Sequence, residues 1–237
     1  MKITQHDHLF QLSFIPRLFP VNCYLIEETD RLTLIDAALP YSAKGIIKTA
    51  QQIGKPIANI ILTHAHNDHI GSLDTLKTLI PNAKVSISAR DSLLLKGDTT
   101  LLDDEPSTPI RGGVPKKIQT KPDILLKDGD LIGSLEVVTA PGHTPGSIAL
   151  LDTRNGHLIA GDAFQIRGGI AVSGVVKPTF PFPAFATWNK QVSVDSAKKL
   201  VSLNPSLLAV GHGKIIEQPV QVMQQAIDVA SQFITGK

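Results

Sequence analysis

Thr63-His64-Ala65-His66-Asn67-Asp68-His69-Ile70-Gly71 comes directly after the apolar run Ile60-Ile61-Leu62. The pattern is H-x-H-x-D-H at the end of a short, strand-like segment. Packing alone hardly accounts for three imidazoles and a carboxylate in six positions, because both groups are costly to bury without partners. Imidazole nitrogen and carboxylate oxygen are the usual ligands of a borderline metal such as zinc. Ligand sites in α/β folds favour the C-terminal ends of strands, where a loop aims side chains outward. This stretch therefore predicts an α/β fold with a metal site.

Three further segments place a ligand type after an apolar strand. Val137-Val138-Thr139-Ala140-Pro141-Gly142-His143-Thr144-Pro145-Gly146-Ser147 holds His143 in a Gly/Pro turn. Leu158-Ile159-Ala160-Gly161-Asp162 ends on a carboxylate, and Leu208-Ala209-Val210-Gly211-His212-Gly213 on an imidazole. His6, His8 and His157 lie in terminal or turn contexts and are expected to be solvated. Taken singly, Asp68 reads as a helix cap. Singly, His143 reads as a turn histidine, Asp162 as a turn aspartate and His212 as a loop histidine. Their joint occurrence points to one centre.

In this order and spacing, H-x-H-x-D-H, P-G-H-T-P-G-S, A-G-D and G-H-G resemble the metallo-β-lactamase superfamily, on its glyoxalase II-like or lactonase-like side. The resemblance runs over essentially the whole chain. It implies a four-layer αβ/βα sandwich, two mixed sheets flanked by helices, with a two-metal site at one edge. By position it implies His64, His66 and His143 for a first metal. Asp68, His69 and His212 would serve a second, and Asp162 would bridge them. Asp36, in Leu34-Ile35-Asp36-Ala37, matches a family aspartate near the site. It is expected to hold a ligand by hydrogen bond.

The chain has 237 residues, enough for one large domain with a substantial core. We expect a single metallo-hydrolase domain over 1–237. Hydrophobic content of 42% and charged content of 19% are ordinary for a soluble enzyme. A formal charge of +2 is too small to argue for nucleic acid or a membrane surface. The lone cysteine, Cys23, cannot form an internal disulfide, which fits a reducing compartment. Its apolar neighbours mark it as inert core. No apolar leader is visible at the N-terminus and no run reaches the roughly 18 apolar residues of a membrane span. The expected location is cytoplasmic.

Periodicity predicts strands over 9–14, 22–27, 33–36, 59–62, 85–88, 124–126, 135–139, 147–151, 158–160 and 207–210. It predicts helices over 42–53, 70–79, 187–203 and 219–233, with Thr187 as an N-cap. Two Pro/Gly-rich stretches, 96–122 and 165–186, break the pattern and are expected to be lids or pocket walls. The first is basic through Arg111, Lys116, Lys117 and Lys121; aromatics Phe180, Phe182, Phe185 and Trp188 gather in or just after the second.

Two divalent ions roughly 3.5–4 Å apart can share a hydroxide and polarise a carbonyl or phosphoryl oxygen. Asp68 is the expected catalytic residue, a ligand that also orients the nucleophile. Two Zn2+ are expected per chain, and Mn2+ or Fe would suit the same ligands. No candidate ligand is cysteine, which argues against a closed structural zinc. Asp162 in the bridging place resembles the thioesterase, lactonase and phosphodiesterase branches; true β-lactamases of this superfamily lack it. His66 stands where flavodiiron oxygen reductases carry glutamate. Only one helix follows His212, with no glutathione-recognition domain, which argues against a dedicated glyoxalase II.

The expected function is hydrolysis of an ester, thioester or lactone of a small molecule by a metal-bridging hydroxide. An acyl-homoserine lactone is one specific version. The alternatives are a phosphodiesterase or nuclease using the basic stretch, and a mononuclear iron persulfide dioxygenase. The near-neutral charge argues against a long nucleic acid. No membrane partner is expected, and the aromatics of 180–188 leave a homodimer open.

Overall fold

A computed structural model describes residues 1–236. Among these residues the first half forms a seven-stranded sheet. Its order is β1 (Lys2–His6), β2 (Leu9–Phe14), β3 (Val21–Glu27), β4 (Leu32–Ile35), β5 (Ile57–Ile61), β6 (Lys84–Ser88) and β7 (Ile124–Leu126). The first four strands pair antiparallel. From β4 to β7 the pairing is parallel. Short turns link the antiparallel strands, whereas parallel neighbours need crossovers. Helices α1 (Ala43–Ile53), α2 (Asn67–Ile70), α3 (Leu73–Leu79) and α4 (Asp91–Leu95) supply them.

The second half forms a six-stranded sheet among the described residues. Its order is β15 (Ile216–Glu217), β14 (Leu207–Ala209), β11 (His157–Ile159), β10 (Ile148–Asp152), β9 (Leu135–Thr139) and β8 (Leu131–Ile132). Only β11 and β14 pair in parallel, and α6 (Lys190–Ser202) lies in their crossover. A small ribbon, β12 (Phe164–Gln165) with β13 (Ala171–Val172), and the turn-like α5 (Phe182–Phe185) also lie in that connection. Helix α7 (Val220–Thr235) closes the chain.

Strand alternation sorts the core into three apolar layers. Leu25, Leu34 and Ile60 face outward onto Ile46, Leu73, Leu76 and Leu94 of the first helices. Their neighbours Tyr24, Ile26, Ile35 and Ile61 face inward and meet Val137, Ile148, Leu150, Ile159 and Leu207 of the other sheet. On the far side Ala149, Leu158 and Leu208 pack under Val194, Leu200, Met223 and Ile227 of α6 and α7. Each fully buried large aliphatic side chain contributes about 1.5–3 kcal/mol relative to exposure. The result is the four-layer α/β sandwich implied by the motifs.

Some expectations are corrected. The helix expected over 70–79 is broken into α2 and α3, because the peptide of Gly71 docks onto β-bridged Ala38 and donates to its carbonyl at 2.8 Å. The N-cap of α6 is Asn189, whose side chain accepts from the Val192 amide at 3.0 Å, and not Thr187. His157 is buried at the start of β11 instead of solvated. Strand β1 was not foreseen: it lies at the sheet edge with no buried residue, so it lacks an apolar stripe. Cys23 is fully buried in β3, as expected of core.

Candidate metal centre

All seven candidate ligands lie beyond the C-terminal ends of four strands, at one edge of the sandwich. His64 and His66 follow β5, and Asp68 and His69 sit in the single turn of α2. His143 follows β9, Asp162 follows β11 and His212 follows β14. Three backbone bonds knit these loops. Thr63 O accepts from the Ile148 amide at 2.9 Å, joining the two sheets. Gly161 O accepts from the Gly211 amide at 2.8 Å, and Gly211 O from the Asn22 amide at 2.9 Å. At 211 only glycine fits, since a Cβ there would lie 2.1 Å from Asp162 Oδ1.

The structure brings all seven residues together. Ligating atoms fall into three overlapping groups, each within 4.8 Å: His64/His66/His143, His64/His69/Asp162 and Asp68/His69/His212. His66 Nδ1 and His143 Nε2 lie 3.0 Å apart. Asp162 reaches His69 Nε2 and His143 Nε2 at 3.4 Å and His212 Nε2 at 3.2 Å. Asp68 lies 3.3 Å from His212 Nε2. Six of the seven are buried; the Asp68 side chain keeps 29% exposure.

Each imidazole is oriented through its other nitrogen. His64 Nδ1 donates to Thr63 Oγ1 at 3.1 Å, and that hydroxyl donates to Asp36 at 2.8 Å. His69 Nδ1 donates directly to Asp36 at 2.7 Å. His66 Nε2 donates to Arg111 O at 2.9 Å, and His212 Nδ1 to Pro20 O at 2.7 Å. His143 Nδ1 donates to Ser173 Oγ at 2.9 Å, which hands on to Thr187 Oγ1 and thence to Pro183 O. Such partners fix the tautomer, leaving the inner nitrogen free to ligate. Asp36 thus has the orienting place expected of it.

The donor set suits a divalent metal. His64 Nε2 is buried without a hydrogen-bond partner among the described residues, and His69 Nε2 and Asp162 Oδ1 have only each other, in a long contact of 3.4 Å. Buried polar atoms are normally paired, and these three point into the cluster. Burial, then the neighbouring imidazoles, pushes His64 well below the usual imidazole range. Burial pushes His66 down and His143 to about 3. These rings are neutral, as ligation requires. Burial also works against charge on His69 and His212, but Asp162 with Asp36 or Asp68 outweighs it. His69 is held well above the ordinary value and His212 at about 10. Burial opposes ionisation of Asp68, yet His212 and His69 hold it well below the usual carboxylate range.

Two further pieces border the site, drawn largely from the stretches expected to be lids or pocket walls; the backbone contacts of the first and the ring of Phe19 were not anticipated from side-chain types. Residues 96–122 run against the centre: Gly113 O accepts from the Asn67 amide at 2.8 Å, and Gly112 lies on the His66 ring. Beside His212, the rings of Phe19 and Phe180 stand 5.6 and 5.4 Å away, and Phe182 meets them tilted at 5.1 Å and edge-on at 5.4 Å. Phe180 and Phe182 come from the aromatic stretch singled out above; Phe19 comes from the β2–β3 turn.

The fold and this cluster define a member of the metallo-β-lactamase superfamily. The model of that superfamily matches residues 16–212, and the chain belongs to it. It is 63% identical over 230 residues to the uncharacterized protein YobT of Bacillus subtilis (strain 168), covering 97% of this chain and 99% of YobT. It is 30% identical over 214 residues to the probable metallo-hydrolase YflN of the same organism, covering 81% and 80% of the two chains. Among solved structures it resembles TTHA1623 in a di-iron-bound form, with a TM-score of 0.64 at 24% identity over 90% of this chain and 96% of that one. The superfamily binds divalent metals, and these residues can hold one.

Proposed function

We propose that the protein is a zinc hydrolase with two metal ions per chain that cleaves an ester, thioester or lactone of a small molecule with an apolar acyl part. The observation that carries this reading is an aromatic wall, Phe19, Phe180 and Phe182, set directly against one of seven clustered ligating side chains, His212. His64, His66 and His143 would hold one ion, Asp68, His69 and His212 another, and Asp162 both. Ions held there would supply a water of lowered pKa and a Lewis acid for a carbonyl oxygen.

The chain's own residues do the rest. Asp68 is the one member of the cluster open to solvent, and it is ionised. It can accept a hydrogen bond from an attacking water and fix its direction. His66 and His143 are held by Arg111 O and Ser173, so the centre is rigid before substrate arrives. Phe19 and Phe182, backed by the fully buried Phe180, would exclude water on one side and offer an apolar surface to the acyl chain. Cys23 is buried and unbridged, which suits action in a reducing cytoplasm. No helix among the described residues is long and apolar enough to cross a membrane.

The test is metal analysis of protein purified without chelator, followed by a screen of chromogenic esters, thioesters, lactones and phosphodiesters. About two zinc ions per chain and ester-class turnover that chelation abolishes support the proposal. Turnover of the phosphodiester alone would reassign the site to phosphate chemistry through the basic stretch 111–121. One iron per chain with oxygen consumption would replace hydrolysis by an oxidation.

A further inference from the structure

Asp91 is not one of the candidate ligands, yet it joins the two loops that carry three of them. It opens α4 and is fully buried. Its Oδ2 accepts from the Ala65 amide at 2.9 Å and from the Thr144 hydroxyl at 2.8 Å. Its Oδ1 accepts from the Gly146 amide at 2.8 Å. Ala65 lies between His64 and His66, and Thr144 follows His143. One carboxylate therefore takes donors from both sides of the His64/His66/His143 group.

The surroundings reinforce this clamp. The Asp91 amide donates to Ser88 Oγ at 3.1 Å, and Ser88 donates to Gly146 O at 2.6 Å. The Gly146 peptide is thus gripped at both its N–H and its carbonyl. No lysine, arginine or histidine among the described residues forms an ion pair with Asp91. A buried carboxylate without a cation is unfavourable, and burial pushes its pKa up to about 6. Packing would be served as well by an apolar residue. A group that only accepts is what two amides and a hydroxyl need.

We propose that Asp91 is a positioning residue that fixes the separation of the two loops so that His64, His66 and His143 converge on one divalent ion. The inference rests on the metal reading of the site. It acts on the three-histidine group alone; His69 and His212 have other partners, Asp36 and Pro20 O, the former shared with His64 through Thr63.

The experiment measures zinc affinity of the full chain by competition with a chromophoric chelator, alongside the thermal midpoint of metal-free protein. The variants are Asp91→Asn, Thr144→Val and Thr144→Ser. The amide of asparagine sets a donor against donors, and valine removes the hydroxyl without removing volume. Thr144→Ser keeps the hydroxyl. We expect Asp91→Asn and Thr144→Val to weaken one zinc equivalent about 10- to 100-fold and leave the other unchanged, as loss of a ligand-orienting partner typically does. Thr144→Ser should bind as wild type, and Thr144→Val should keep its metal-free midpoint, which separates positioning from folding. Folded Thr144→Val with both affinities at wild-type level would overturn the proposal. So would equal weakening of both equivalents in step with a lower midpoint. A wild-type chain that takes up no zinc would instead overturn the site reading, and the role of Asp91 with it.

Discussion

The carboxylate of Asp36 holds His69 directly, at 2.7 Å from Nδ1, and holds His64 through the hydroxyl of Thr63. One side chain on the loop after β4 thus orients two imidazoles from opposite ends of the H-x-H-x-D-H motif. It also accepts from the Thr63 amide at 2.8 Å, so the loop backbone is pinned as well. Asp36→Ala should therefore loosen both metal groups. A loss of metal affinity of about 10- to 100-fold is expected, read by chelator competition. Thr63→Val should affect chiefly the groups that contain His64. Unchanged affinity in Asp36→Ala would mean that the rings are held by packing alone.

His66→Ala and Asp162→Ala remove atoms at the centre itself. Asp162 is within 3.4 Å of three imidazole nitrogens from three different strand ends. Its loss leaves His69 and His212 facing each other without the anion between them. Both variants should lose bound metal and all detectable hydrolysis, measured by elemental analysis and a chromogenic ester. Near-wild-type turnover in either would sink the assignment of the centre.

The electrostatics predict an asymmetry in proton release. Burial holds His64, His66 and His143 neutral at pH 7, the last with its pKa at about 3. They can ligate without losing a proton. His69 and His212 are raised by Asp162 with Asp36 or Asp68, His212 to about 10. At pH 7 each holds a proton that ligation must expel. Affinity at Asp68/His69/His212 should then rise between about pH 6 and 8, while affinity at the three-histidine group stays nearly flat. Titration calorimetry in buffers of different protonation heat reads this as proton release on filling one equivalent and not the other. Zinc uptake without proton release would contradict the charge state of these rings.

The cluster of candidate ligands was legible because its side chains are rare types in tight spacing, each after an apolar strand. What orients them was less so. Two of the partners, Arg111 O and Pro20 O, are backbone carbonyls, and no residue type marks a carbonyl. Thr187 stands just before a helix and reads as a cap, but Asn189 caps in place, and Thr187 instead passes the relay from His143 on to Pro183 O. Asp91 carried no signal in the sequence; only the fold brings Ala65, Thr144 and Gly146 to it. The sandwich itself was legible through the resemblance carried by the motifs; alternation marked the single strands, and the fold shows what it does, with Leu34 facing α-helix and Ile35 facing sheet. The edge strand β1 escaped because nothing on it is buried.

Gly112 shows how the irregular stretch 96–122 bears on the centre. It sits at φ +90°, a conformation that suits glycine, and a Cβ there would come within 2.4 Å of His66 Nε2. The same turn supplies Arg111 O to that nitrogen. Gly112→Ala must push the turn away from His66 or rotate the ring. We expect weaker metal binding at the three-histidine group and turnover down by roughly tenfold or more, about 1.4 kcal/mol, with little change in the folding midpoint. Wild-type metal content and turnover would show that the turn adapts and that its contact with His66 is incidental.

Phe182 is 54% exposed, although its ring packs against Phe19 and Phe180 beside His212. An aromatic left in water at the mouth of a site costs solubility and suits an apolar ligand. If the wall receives the acyl chain, Phe182→Ala should act in proportion to that chain's length. We expect kcat/KM for a long-chain chromogenic ester to fall about tenfold, or about 1.4 kcal/mol of lost binding, and that for the acetate ester to stay near wild type. Phe19→Ala should follow the same pattern more steeply, because that ring touches His212 as well. An equal fall for long and short esters would make the wall a support for His212 and not a substrate surface. No change for either would place the acyl group elsewhere, leaving the stretch 96–122 as the other wall to test.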